Sequence, residues 1–118
     1  LLPKTFRLKK RGEFKKVYTE GKSVASPCLI LYFKKRNALK QTRIGFSISK
    51  KLGCAVERNR IKRRLREAIR PYLNIIEPGY DLFFIARHKI KGISFEDVEK
   101  NMLNLIKRAG IIKREEKK

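Results

Sequence analysis

The stretch Arg43-Ile-Gly-Phe-Ser-Ile-Ser49 alternates, whereas Val56-Glu-Arg-Asn-Arg-Ile-Lys-Arg-Arg-Leu-Arg-Glu-Ala-Ile-Arg70, which follows it, does not. In the first, Ile44, Phe46 and Ile48 fall on one side and Arg43, Gly45, Ser47 and Ser49 on the other, the period of a strand with one buried face. In the second, Ile61, Leu65, Ala68 and Ile69, continued by Tyr72, recur at helical spacing, so residues 56–73 predict an amphipathic helix. Beyond a turn at Pro78-Gly79 comes a second apolar run, Tyr80-Asp-Leu-Phe-Phe-Ile-Ala86, which reads as a strand. The segment between Ser49 and Tyr80 is long enough for a helical crossover between parallel strands, although spacing fixes neither the pairing nor its hand.

Working outward, Cys28-Leu-Ile-Leu-Tyr-Phe33 is a run of strand formers entered at Pro27. The polar connection over residues 37–42 has hairpin length, so this strand and the one over residues 43–49 are expected to be antiparallel neighbours. Residues 11–20 predict a short helix carrying Phe14, Val17 and Tyr18, with Gly21 as its stop. A last helix starts at Ser94-Phe-Glu-Asp97, with Ser94 as N-cap; it buries Val98, Met102, Leu105, Ile106 and Ala109 and ends at Gly110. Residues 111–118 read as a charged, frayed tail. The residues alone thus give the order helix, two strands, helix, strand, helix, in one domain over residues 1–118.

The partner class follows from charge. With 32 Lys and Arg against 11 Asp and Glu, the chain carries +21 at neutral pH, while 42% hydrophobic residues still allow a core. A compact particle at that charge repels itself, and a polyanion relieves the repulsion; nucleic acid is the commonest such partner. No stretch approaches the 18 apolar residues of a membrane span, and the opening Leu-Leu-Pro-Lys-Thr-Phe-Arg lacks a signal peptide's apolar core. A cytoplasmic protein without a membrane partner is expected. Cys28 and Cys54 are expected to be reduced thiols, since two cysteines make no disulfide framework here.

Between Arg58 and Arg70, seven of thirteen residues are basic. At 100° per residue, Asn59, Arg63, Arg66 and Arg70 oppose the Ile61/Leu65/Ile69 stripe, with Lys62 and Arg64 flanking them. A merely solvated face mixes signs, but only Glu67 interrupts this one from within. Arg58, Arg60, Lys62 and Arg63 also crowd the helix start, where each cation opposes the macrodipole by about 0.3–1 kcal/mol. Phosphates bound there reverse that cost and meet free backbone N–H groups. Guanidinium forks match phosphate oxygens and stack on bases, and Asn59 adds a neutral donor and acceptor. Nearby aromatics complete the pattern. Phe14 and Tyr18 lie one helical turn apart and Tyr32 lies on the first strand; such rings are ordinarily core, but the hydroxyl tips of Tyr18 and Tyr32 suit a half-exposed site that stacks unpaired bases.

Protein catalysis is not expected. His88 stands in a basic loop, and with two distant cysteines it makes no metal site of recognisable spacing; Glu96 and Asp97 are explained as helix-start acids. No Walker loop or nucleophile elbow occurs.

The run Lys50-Lys-Leu-Gly-Cys-Ala-Val-Glu-Arg-Asn-Arg-Ile-Lys-Arg-Arg-Leu-Arg66 resembles the Arg-Asn-Arg signature of the bacterial ribonuclease P protein family. Arg7-Leu-Lys-Lys10, then Phe14, Val17, Tyr18 and Gly21, with Arg43-Ile-Gly-Phe-Ser-Ile-Ser-Lys50 and Tyr80-Asp-Leu-Phe-Phe-Ile-Ala-Arg87, extend the likeness over nearly the whole chain. The resemblance implies an α/β (α+β) two-layer sandwich with a small mixed sheet, the order α-β-β-β-α-β-α and a left-handed βαβ crossover, whereas physical precedent alone favours the right-handed one. It implies that Arg58, Asn59, Arg60, Lys62, Arg63, Arg66 and Arg70 meet RNA, with Lys50 and Lys51 as further basic contacts. It places Phe14, Tyr18 and Tyr32 in a cleft for the single-stranded 5′ leader of precursor tRNA. Tyr18 stands where Phe is also common, which keeps the ring and adds a hydroxyl. The implied partners are ribonuclease P RNA and precursor tRNA, with no small-molecule substrate. Mg2+ would be held chiefly by the RNA and substrate, with endonucleolytic catalysis by the RNA subunit. The rival is a structural ribosomal or RNA-chaperone protein, which shares the charge and needs no aromatic cleft.

Overall fold

The structure, a computed structural model, describes residues 11–36 and 41–113. Residues 7–10, residues 37–40 of the polar connection and residues 114–118 of the tail lie outside the described residues. The elements are α1 (Arg11–Glu20), β1 (Lys22–Ala25), β2 (Leu29–Lys35), β3 (Arg43–Ser47), α2 (Ala55–Ile69), β4 (Tyr80–Ala86) and α3 (Phe95–Ala109), with 3-10 turns at Lys50–Leu52, Arg70–Tyr72 and His88–Ile90. They form a mixed α+β fold around one four-stranded sheet of order β1-β2-β4-β3.

That order corrects the expected hairpin. β2 and β3 are not neighbours, because β4 lies between them, antiparallel to β2 and parallel to β3. The reason lies in the composition of β4. Leu82 and Phe84 face one side and Phe83 and Ile85 the other, so the strand is apolar on both faces and belongs at the sheet centre. A short connection made β2 and β3 look paired, but burial of β4 decides the order.

β1 was not legible from its residues. Lys22, Ser23 and Ala25 are exposed and only Val24 is half-buried, so there is no apolar run to read. The strand exists because a tight turn returns it onto β2: Ser26 donates its N–H to the Leu29 carbonyl at 2.8 Å, and its hydroxyl accepts from the Leu29 N–H at 3.2 Å.

Period two then sorts the sheet into two faces. Leu29, Leu31, Ile44, Leu82 and Phe84 form the core face and are 0–1% exposed. They pack against Leu65, Ala68 and Ile69 of α2 and Val98, Met102, Leu105 and Ile106 of α3. These two layers, sheet and α2/α3, make the sandwich. The opposite face carries Ile30, Tyr32 and Lys34 of β2, Asp81, Phe83 and Ile85 of β4, and Arg43, Gly45 and Ser47 of β3. The short α1 covers part of it and seals its own contact with Val17, which is fully buried.

Among the described residues, one acid is buried on this second face. Asp81 accepts from Arg36 Nε at 3.1 Å and from the Arg43 fork, Nε at 2.9 Å and Nη2 at 2.8 Å, so two guanidinium groups replace its hydration.

Two terminations differ from expectation. Gly21 ends α1 without a positive φ; the constraint is space, since a Cβ there would stand 2.5 Å from the Phe33 carbonyl oxygen and 2.6 Å from that of Val17. The chain also does not fray directly after Gly110, whose φ of 71° is the left-handed cap expected. Ile111 is fully buried, Ile112 bridges Ile76, and Glu77 N–H donates to the Ile111 carbonyl at 2.7 Å. The apolar pair Ile111-Ile112 anchors what net charge made look like a free tail.

Gly21→Ala is expected to cost about 1–3 kcal/mol, because the atoms met are backbone and must move. Gly12→Ala, whose Cβ meets nothing within 4 Å, is the control and is expected to be neutral or stabilising. Urea unfolding at fixed phosphate measures both, and equal midpoints for the two variants would contradict the steric explanation. By the same measurement, Asp81→Ala should cost about 3 kcal/mol or more, since it leaves Arg36 and Arg43 without their buried partner.

Candidate nucleic-acid interface

The aromatic residues singled out from the sequence come together on the second face of the sheet. Tyr18 meets Tyr32 with ring centroids 4.7 Å apart and planes tilted by 34°. Phe14 meets Phe83 at 4.8 Å and 45°. Cα pairing places Tyr32 beside Phe83, and Phe83 beside Gly45, so one row runs across β2, β4 and β3. Two rings descend from α1, two rise from the sheet, and the row ends on a glycine that adds no side chain to the floor. Tyr18 stays 54% exposed, so the cluster is open to solvent on that side. Partial burial, and then the neighbouring Tyr18, pushes the Tyr32 phenol above its ordinary pKa.

Phe83 was missed by the sequence reading. The run containing it was read only as an apolar strand, yet Asp81 was a usable signal. An acid inside such a run marks a second face, and Phe83 and Ile85 share that face by period two.

The basic helix lies on the other side of the sheet. α3 packs over β1 and β2 and beside α2, so α2 takes the β4–β3 half. β3 is the edge strand at this half, and it leads through the exposed Lys50 and Lys51 to the start of α2. The ring cluster and the basic helix therefore occupy opposite faces, joined around the β3 edge.

On α2, Asn59, Arg60, Arg63 and Arg64 are exposed, as is Arg70, which lies just beyond the α-helix in the 3-10 turn. Arg58, Lys62 and Arg66 are half-buried, and the Arg66 Nε atom is enclosed. Arg66 thus does not stand on the fully open face that the 100° rule assigned to it; with Asn59, Lys62, Arg63 and Glu67 it lines a recess of about 310 Å3.

The helix start also differs from the reading of a cation-crowded end with free N–H groups. Glu57 folds back to accept the Cys54 N–H at 3.1 Å, and that bond holds its carboxyl below the usual carboxylate range. Gly53 permits the fold: its φ is 141°, and a Cβ there would stand 2.6 Å from the Glu57 carboxylate. Arg58 Nε donates to the Gly53 carbonyl at 3.2 Å. The helix start therefore supplies part of its own counter-charge, while the exposed Arg60, Arg63 and Arg64 lie toward the middle of α2.

The remaining chemistry-bearing residues lie elsewhere. His88 is exposed in the loop after β4, Cys54 is exposed, and Cys28 is buried, which pushes its thiol pKa up. Among the described residues, no three His, Cys, Asp or Glu side chains are grouped to hold a metal ion, and no helix is long and apolar enough to cross a membrane.

Comparison with known proteins meets this geometry from outside. The ribonuclease P protein component of Clostridioides difficile (strain 630) is 47% identical over 111 residues, covering 92% of this chain and 95% of that protein. That of Symbiobacterium thermophilum is 40% identical over 114 residues, covering 97% and 99%. The solved ribonuclease P protein of Staphylococcus aureus superposes with a TM-score of 0.85 at 33% identity, covering 93% of this chain and all of that one. That of Thermotoga maritima gives 0.78 at 33% identity, covering 86% and 96%. A family model described as Ribonuclease P matches residues 2–110, which include α1, the whole sheet, α2 and α3. With family model, relatives and fold in agreement across both the ring cluster and the basic helix, the chain belongs to the ribonuclease P protein family.

Proposed function

We propose that this chain binds the catalytic RNA of ribonuclease P and the single-stranded 5′ leader of precursor tRNA, and so assists Mg2+-dependent removal of the leader. The observation that carries the reading is the open ring cluster, Tyr18 on Tyr32 and Phe14 on Phe83, on a protein of +21 charge. Exposed rings beside cations are how unpaired bases are bound without sequence-specific pairing. In a duplex the base faces are stacked on one another, whereas a single strand can present them to the rings. Arg63, Arg60 and Asn59 on α2, with Lys50 and Lys51 at its approach, supply phosphate and base contacts on the other face.

The chain's own residues fit poorly as a Mg2+ cage. Asp81 is committed to Arg36 and Arg43, Glu57 to the helix start, and among the described residues no third acid joins either. Mg2+ binding is therefore assigned to the RNA and substrate, whose phosphates carry the oxygen ligands this ion prefers. Division of labour follows: RNA for chemistry, this chain for holding and positioning, in the cytoplasm where both RNAs are made.

The deciding experiment is cleavage of a leader-bearing precursor tRNA by a bacterial ribonuclease P RNA at low Mg2+, with and without the protein. A protein-dependent gain that shrinks when the leader is cut to one nucleotide is expected. Tight, salt-sensitive RNA binding with no gain would point instead to a structural ribosomal or RNA-chaperone protein. In that assay Tyr32→Ala should weaken binding of the leader-bearing substrate about 5–100-fold, the range for one lost stacking contact. The one-nucleotide-leader substrate should be unaffected, and an equal loss on both would rule out the cleft as the leader site. Arg63→Ala should weaken RNA binding at all sequences and lower the slope of log K against log salt by about one.

A further inference from the structure

β3 and β4 are the parallel pair, so their carboxyl ends point the same way, and each is followed by a 3-10 turn, Lys50–Leu52 and His88–Ile90. Between these turns and one flank of α2 lies a recess of about 260 Å3. Crevices outside the carboxyl ends of parallel strands are frequent ligand sites in open sheets. The floor of this one is apolar: Leu52 and Ile90 are buried, with Ile61 and Ile93 half-buried beside them. The rim is charged, with Arg60, Arg64 and Lys91 set against the single carboxylate of Glu57. Arg64 is tied to the recess by its bond to the Ile93 carbonyl at 3.3 Å, and Glu57 by its bond to Cys54 N–H at 3.1 Å. Of the α2 residues assigned to RNA above, only Arg60 touches this recess; Asn59, Lys62, Arg63 and Arg66 line the one on the other flank.

We propose that this recess takes one unpaired nucleobase extruded from the RNA partner. The inference rests on the reading of α2 as an RNA-binding helix and adds an occupant and the residues that hold it. Its volume lies just below the usual range of about 300–1,000 Å3 for ligand pockets, which suits a single planar ring system and excludes a helix or strand. The apolar floor offers a face for a flat ring. Three cations at the rim match the phosphates on either side of such a base, and guanidinium planes can also stack on it. One Glu57 oxygen already accepts the Cys54 N–H; the other is left to accept from a base amino group, the pairing that acidic side chains make with cytosine. The two flanks of α2 then differ in what they hold. The flank with Arg63 and Arg66 grips backbone charge, and the flank with Arg60 and Arg64 seats a base.

The chain has no Trp, so Ile93→Trp makes the recess the only source of tryptophan fluorescence. In the full-length chain, titration with a bacterial ribonuclease P RNA is expected to quench that fluorescence about twofold by stacking, while polyphosphate of matched charge, which has no base, leaves it unchanged. Ile93→Ala tests the same contact without adding bulk. Its affinity for that RNA should fall about fivefold with the salt slope unchanged, because the lost contact is apolar, while its affinity for polyphosphate should equal the parent's. Equal quenching by RNA and polyphosphate would make the recess a plain anion site and overturn the proposal. So would an Ile93→Ala affinity equal to the parent's. In both cases salt-sensitive RNA binding by the parent chain leaves the wider function standing; failure of the parent to bind RNA sinks both.

Discussion

The molecule depends on one strand that is apolar on both faces. β4 turns Leu82 and Phe84 toward α2 and α3, where they are fully buried, and Phe83 toward α1, where it meets Phe14. Pairing on both of its edges satisfies its backbone and sets the sheet order, and the same pairing carries the row Tyr32–Phe83–Gly45 across the second face. The core and the sheet side of the ring cluster are thus two sides of a single strand. A substitution that repacks the core at Phe84 acts on the backbone that also holds Phe83.

Charge is the second constraint, and the placement of the few acids shows how the fold tolerates it. Asp81 holds two arginines on the sheet, Glu20 pairs with Lys34 at 2.6 Å, Glu57 caps α2, and Glu96 and Asp97 sit in the first turn of α3. Each acts locally: at a helix start, between strands or, for Glu20, from the end of α1 to β2. Around the middle of α2 the acids are fewer than the cations: Glu57 shares one recess with Arg60 and Arg64, and Glu67 shares the other with Arg63 and Arg66. Net charge therefore indicated a polyanionic partner class without indicating the fold.

What was legible in the sequence is what depends on local periodicity and capping. α1, the stripe of α2, the Ser94 cap accepting from Asp97 N–H at 3.1 Å and the left-handed Gly110 all stand where the pattern put them. What escaped depends on distant partners. The β2–β3 pairing failed because a connection of hairpin length says nothing about a third strand inserted between. β1 escaped because its stability comes from β2. The spatial reason for Gly21 lies in the Phe33 carbonyl, twelve residues on, and the segment after Gly110 is held by the bond from Glu77 N–H to Ile111 and the bridge between Ile112 and Ile76. In the site, Phe14, Tyr18 and Tyr32 were legible as types at a spacing, whereas Phe83 required knowing which face of β4 turned outward. Glu57 as the cap of α2 was within reach: Cys54 three residues before it disguised the pattern, since cysteine is not a usual N-cap.

The opposition of the two faces constrains how RNA can use them. A single strand lying between α1 and the sheet touches rings but not α2, because the sheet stands between. An RNA element on α2 touches arginines but not the rings. One straight helix of RNA cannot contact both, so the proposed partners divide naturally: a folded RNA against α2 and a flexible single strand in the cleft, meeting around the β3 edge where Lys50 and Lys51 stand exposed. The proposed role asks the chain to fix one strand relative to another, and a ring row and a basic helix on opposite faces of one sheet suit that role.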